Sequence, residues 1–199
     1  MMSSCHSGRP QPTGEVSPQG AQGITPAEQA RAELQHPRYT QAGVEFMTDM
    51  IAHHAQAILM ARWASSHGSA PPVKTLADRI AVSQRDEIAF MQDWLRARDQ
   101  AVPAPDTATA SPTAIAHPMA MPGMLTARQL ATLDSARGDG FDRLFLTDMI
   151  MHHRGAIAMV HALLEPGRDE DDALLMYANN VAADQSAEIG RMERMLEKY

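Results

Sequence analysis

The chain carries one helical message twice, and that repetition constrains its fold more than any other feature. Phe46, Thr48, Asp49, Met50, Ile51, His53, His54, Ala57, Ile58 and Met60 recur ninety-nine residues later as Phe145, Thr147, Asp148, Met149, Ile150, His152, His153, Ala156, Ile157 and Met159, making windows 46–63 and 145–162 identical at 10 of 18 positions. Phe46, Met50, His53, Ala57 and Met60 step by four, three, four and three, which is one continuous stripe on an α-helix and has no strand periodicity. A second echo follows each copy. Gln84, Glu87, Ile88, Met91 and Leu95 recur as Gln185, Glu188, Ile189, Met192 and Leu196, with six of 16 positions shared between windows 80–95 and 181–196. Each His-His helix therefore has its own partner helix, and each hairpin alone leaves an apolar face that must be covered. The expected fold is all-α: a four-helix bundle made of two repeated helical hairpins, with a long crossover and short accessory helices.

Taken in order, residues 1–24 are Gly/Pro/Ser/Gln-rich and read as disordered. Residues 25–199 read as the bundle domain, with repeat one at 40–98, a crossover at 99–139 and repeat two at 140–198. Thr25, Pro26 and Glu28 predict a helix start, for a short helix ending before Pro37. The first His-His helix is expected from Thr40 to Ser66, ended by Gly68 and Pro71-Pro72, and its partner from Val73 to Arg98. Thr126 and Gln129 predict a capping box opening a short helix to Ala136. The second His-His helix is expected over Phe141–Glu165 and the last helix over Asp169–Lys198.

Composition narrows the function. The formal charge of −7, without any Lys/Arg cluster, gives no electrostatic basis for nucleic-acid or polybasic membrane binding. No apolar run reaches the ~18 residues that a bilayer requires. With Cys5 as the one cysteine, neither a disulfide framework nor a thiolate metal site can be built. The 15 Met and 9 His residues must then supply any softness toward a metal. Met1 to Cys5 followed by a Gly/Pro tract reads in two ways: the remnant of a lipoprotein signal with a lipid anchor on Cys5, or an arbitrary start with an incidental cysteine.

The doubled Phe-x-x-x-Met-x-x-His-His-x-x-Ala-x-x-Met, with the later Gln-x-x-Glu-Ile-x-x-Met-x-x-Leu, resembles a bacterial family named only as domain of unknown function number three hundred and five. The likeness covers residues 40–98 and 117–198, including Met121-Pro122-Gly123-Met124. It implies a ferritin-like four-helix bundle, and the family includes periplasmic or secreted copper-binding, copper-resistance proteins of the CopM type.

The residues themselves support that chemistry. Thioether sulfur is a soft donor and imidazole a borderline one, a set suited to Cu(I) and by extension Ag(I), with iron and zinc behind. A Met/His protein nearly free of Cys also fits an oxidising, extracytoplasmic setting. The candidate ligands are Met50, His53, His54 and Met60 from one repeat and Met149, His152, His153 and Met159 from the other, with Met91 and Met192 adding sulfur from the partner helices. His117, Met119, Met121 and Met124 form a candidate looser, partly exposed site on the crossover. Asp49 and Asp148, four residues before His53 and His152, are placed to accept a ring N–H and fix the tautomer. Gln84, Gln185, Glu87 and Glu188 are expected to hydrogen-bond the imidazoles across the seam. The plainer alternatives are that Met at helical spacing fills a core, that the histidines form buried hydrogen-bond networks, and that the Asp pair is surface charge.

The expected activity is non-enzymatic: binding of a metal ion as the partner, with the oligomeric state, including a homo-oligomer, left open. A di-iron oxidase would need Glu-x-x-His on two helices. The repeats lack it, although Asp49/His53/Glu87 with Asp148/His152/Glu188 could imitate the set. A non-covalent haem between Met and His, and a purely structural bundle, are the other readings.

Overall fold

In the computed structural model the described residues are Thr25, Ala27, 39–105, 121–165 and 171–199, and among them lie five helices and no strand. α1 spans Gln41–Trp63, α2 Pro71–Arg96, α3 Ala127–Ser135, α4 Gly138–Leu163 and α5 Asp172–Leu196. α1 pairs with α2 and α4 with α5, the two hairpins meet along α1 and α4, and short α3 lies against both of those helices. The molecule is an all-α four-helix bundle of two repeated hairpins. The expected N-terminal short helix and the segments around Cys5 and residues 106–120 fall outside the described residues, except for Thr25 and Ala27.

Capping chemistry accounts for the helix starts. The Thr40 hydroxyl accepts from the Gly43 amide at 2.9 Å, and Asp171 accepts from the Leu174 amide at 3.0 Å. Thr126 and Gln129 form the reciprocal capping box that the sequence predicts for α3. α2 departs from expectation. Pro71 and Pro72 open the helix instead of lying in the turn before it, because the first helical positions have no intrahelical acceptor for the amides that proline lacks. α4 starts at Gly138, three residues earlier than expected, where the Gly138 amide donates to the His67 carbonyl at 2.8 Å. α1 stops at Trp63, short of Ser66, and α5 begins at Asp172 instead of Asp169.

The core falls into two apolar clusters. One holds Met60, Met149, Met192, Phe141, Phe145 and Leu133 with residues of α2; the other holds Met47, Met50, Met91, Leu95, Val160 and Leu174. On α1, His53 lies between Met50 of one cluster and Met60 of the other. On α4, His152 lies between Met149 and Val160 in the same way, with the polarity reversed because the helices run antiparallel.

Each end of the bundle is closed by one carboxylate. Asp142, fully buried, accepts from the Ala70 amide at 2.9 Å and the Tyr199 hydroxyl at 2.7 Å, tying the α1–α2 turn and the C-terminus to α4. Asp171 takes the Trp94 indole N–H at 3.1 Å and the Arg98 guanidinium at 3.0 Å, joining the end of α2 to the start of α5. Among the described residues no helix is long and apolar enough to cross a membrane.

Candidate metal centre

All four repeated histidines are fully buried. His53 and His152 meet across the α1–α4 interface with ring centroids 3.8 Å apart. Their neighbours turn the other way, as adjacent helical residues must. His54 donates from Nε2 to the Glu87 carboxylate at 2.5 Å and His153 from Nε2 to Glu188 at 2.7 Å, each within its own hairpin. The two ring pairs share one geometry: centroids 6.5 Å apart and tilted 58° for His53–His54, 6.5 Å and 55° for His152–His153. The duplication read in sequence thus extends to side-chain placement.

The expectation that Glu87 and Glu188 hold imidazoles is met. Two others are corrected. Gln84 and Gln185 are buried, but neither amide reaches a ring, and both ends of each side chain lack a protein partner. Asp49 and Asp148 do not fix the central rings: His53 donates from Nε2 to the Pro122 carbonyl at 3.0 Å and leaves Nδ1 without a partner, while both nitrogens of His152 are unpartnered. For His53 the reason is competition: the Pro122 carbonyl takes its Nε2–H. Asp148 is half-buried, and burial pushes its carboxyl up to about 6.

The candidate sulfur donors divide into two sets. Met50 and Met60 do not face one ion with their own His pair, because ten residues of helix, roughly 15 Å, separate them. Instead Met60 shares a cluster with Met149 and Met192, whereas Met50 shares one with Met91, against which Met159 packs half-buried. Each sulfur layer therefore draws on both repeats, one on either side of the histidines.

On the crossover, His117 and Met119 lie outside the described residues, while Met121 is buried and Met124 half-buried. The Met124 amide donates to the Met121 carbonyl at 3.2 Å, closing a turn with Pro122 first and Gly123 second at φ +77°, a conformation that favours glycine. The turn lies directly on α4. A Cβ on Gly123 would stand 2.7 Å from the Met151 carbonyl, and one on Gly155 would stand 2.0 Å from the Pro122 carbonyl.

Gln56 secures the other side: its amide donates to the Leu125 carbonyl at 3.1 Å and accepts from the Leu125 amide at 2.7 Å. Sequence reasoning missed Gln56 and Gly155. The available signal was that these equivalent positions of the repeat carry unlike residues, a polar one and a minimal one, within otherwise matched stripes. His67 was missed too; it donates to the Asp134 carbonyl at 2.8 Å and pins the α1–α2 turn to α3.

The electrostatics keep the central rings uncharged. Burial, with the neighbouring His54 adding to it, pulls His53 down to about 3, although the bond to Pro122 acts the other way. Burial and the facing His53 place His152 well below the ordinary histidine range. A neutral imidazole whose Nε2–H is spent on a fixed oxygen presents the Nδ1 lone pair, the arrangement in which a second-layer acceptor orients a metal-binding histidine. His53, His54 and His153 each have Nε2 bonded to a fixed oxygen and Nδ1 buried and unpartnered. Among the described residues no three His, Cys, Asp or Glu side chains converge as a metal-binding group. Buried imidazole nitrogen in a methionine-rich core is nonetheless a donor set that suits a soft ion.

A sequence profile of the family described as DUF305, a domain of unknown function, matches residues 43–196. No curated protein sequence matches the chain. Among solved structures, a DUF305 fragment from Deinococcus radiodurans is 28% identical with a TM-score of 0.68, over 82% of this chain and 100% of that one. A DUF305 protein of Streptomyces coelicolor, described as a secreted protein, is 25% identical at TM-score 0.67, over 79% of this chain and 93% of that one. CopM in its Cu(I)-bound form is 28% identical at TM-score 0.60, over 81% of this chain and 98% of that one. With more than half its length matched by the profile, the chain belongs to the DUF305 family.

Proposed function

We propose that this protein binds Cu(I), and by the same chemistry Ag(I), through the buried histidines and flanking methionines, and that it sequesters or carries the ion outside the cytoplasm without catalysing a reaction. One observation carries the reading: three buried imidazoles each have Nε2–H fixed by an oxygen and Nδ1 left unpartnered. A purely structural network would use those nitrogens, since leaving a buried polar atom unsatisfied costs about 1–3 kcal/mol. His53, His54, His152 and His153 supply nitrogen. Met50, Met91 and Met159 supply sulfur on one side, Met60, Met149 and Met192 on the other, and Met121 belongs to the turn packed on α4. Glu87 and Glu188 orient the rings that they hold.

Support from relatives is consistent with this donor set. CopM has been crystallised with Cu(I), Cu(II) and silver at 27–28% identity to this chain. The near absence of Cys and the secreted description of the Streptomyces coelicolor relative support a place outside the cytoplasm. The test is a competition titration with Cu(I) under reducing conditions, run beside Zn(II) and Fe(II). Tighter binding of Cu(I) than Zn(II) is expected, because sulfur donors are soft. Unchanged Cu(I) stoichiometry after joint substitution of His53, His54, His152 and His153, with helical content falling, would assign those residues to packing instead.

A further inference from the structure

The central histidines are fully buried within helices, so an ion needs a way in, and helices held by continuous backbone ladders do not part locally at low cost. Among the described residues, the covering that is not helical is the short strap 121–125, whose Pro122 carbonyl is bonded to His53 at 3.0 Å. Its moorings are few and specific. Gln56 clasps both backbone groups of Leu125, and Gly155 leaves just enough room for Pro122 and Gly123 to lie on α4. At the equivalent positions of the two repeats, one residue grips the strap and the other makes space for it. The strap also carries its own soft donor inward, since Met121 is buried beneath the turn.

We infer that Gln56 is a positioning residue that controls metal access: it latches the 121–125 strap over the His53–His152 pair, and release of Leu125 from its amide opens the route by which a soft monovalent ion enters and leaves. The inference rests on the metal-binding reading above. Opening withdraws the Pro122 carbonyl from His53 Nε2 and lifts Met121 with the turn, so that a thioether can meet the ion before the imidazoles do. Re-latching returns the Pro122 carbonyl to His53 and buries the site again.

Two measurements on the full chain test it. The first needs no metal: hydrogen exchange at the Leu125 amide, which donates to the Gln56 carbonyl oxygen, reports strap opening in the metal-free protein. Gln56→Ala should speed it about tenfold, since both latch bonds are gone. Gln56→Glu keeps the acceptor for the Leu125 amide but loses the donor to its carbonyl, and should fall between the two. The second is the rate at which Cu(I) moves between the protein and a chromophoric Cu(I) chelator. Uptake and release should both quicken by about tenfold in Gln56→Ala, with stoichiometry and helical content unchanged. If Gln56→Ala loses helical content, the intermediate Gln56→Glu carries the comparison. Faster Leu125 exchange with transfer rates equal to wild type overturns the latch while leaving metal binding intact. A wild-type chain that takes up no Cu(I) overturns the metal reading, and the latch with it.

Discussion

At the scale of single residues, what matters is which nitrogen of each ring is occupied. Glu87 and Glu188 accept from His54 and His153 at 2.5 Å and 2.7 Å, and a carboxylate in that position makes the opposite nitrogen a better donor. Glu87→Gln together with Glu188→Gln keeps the shape and an acceptor oxygen but removes the charge. Cu(I) affinity, measured by chelator competition, should fall about 10–100-fold while the circular dichroism stays helical. A second prediction follows from the depressed central histidines. His53 is held at about 3 and His152 well below normal, both under the ordinary 6.5, so the unfolded chain takes up their protons first as pH falls. Their contribution to stability is complete above about 6.5 and is lost as pH drops below it, by about 1.4 kcal/mol per pH unit for each ring. Asp148 acts in the opposite sense: its carboxyl, raised to about 6 from 3.8, costs stability as pH rises through that window. Two rings outweigh one carboxyl, so urea denaturation of the metal-free protein should show the midpoint falling between pH 6.5 and pH 4.

At the scale of elements, the strap and α4 fit through two glycines, and glycine earns its place differently along the chain. Gly155→Ala would drive a Cβ to 2.0 Å from the Pro122 carbonyl, so the strap backbone must shift off α4 to admit it. It should destabilise the protein by about 1–3 kcal/mol in urea denaturation, through overpacking. Gly190, inside α5, is the contrast: the nearest atom to its Cβ is the flexible end of Arg194 at 3.5 Å. Gly190→Ala should stabilise by about 0.5–1 kcal/mol, since the helix loses its least favourable residue. The periodic stripe made the existence of four long helices legible, and the Thr126–Gln129 pattern announced the start of α3. Their ends were less so. Pro71 and Pro72 look like breakers in sequence but begin a helix here, because a proline is harmless where no intrahelical bond is due.

For the whole molecule, the bundle accepts a cost at its centre. His152 is buried with neither ring nitrogen partnered, and Gln84 and Gln185 are buried with both amide ends unpaired. His152→Leu removes two unsatisfied atoms at similar volume. It should raise the thermal midpoint of the metal-free protein, by the equivalent of about 1–2 kcal/mol, while weakening Cu(I) binding. A fall in the midpoint on that substitution would mean that His152 is bonded in solution and serves the scaffold. In the wild type, Cu(I) at about 100 times its dissociation constant should add about 2.7 kcal/mol of stability by linkage.

The chain alone determined what short-range periodicity can carry: the helices, their duplication, the inward face bearing imidazole and thioether, and the pairing of each His-His helix with the Glu-bearing helix that follows it. Those follow from residue spacing on one cylinder, and spacing is written in the sequence. Tertiary packing decided the rest. Antiparallel docking of α1 on α4 brought His53 to His152 and split Met50 from Met60 into layers shared between repeats. A crossover turn, not Asp49, claimed the His53 ring. Which atoms meet across helices depends on how two hairpins settle against each other, and no interval along a single helix records that.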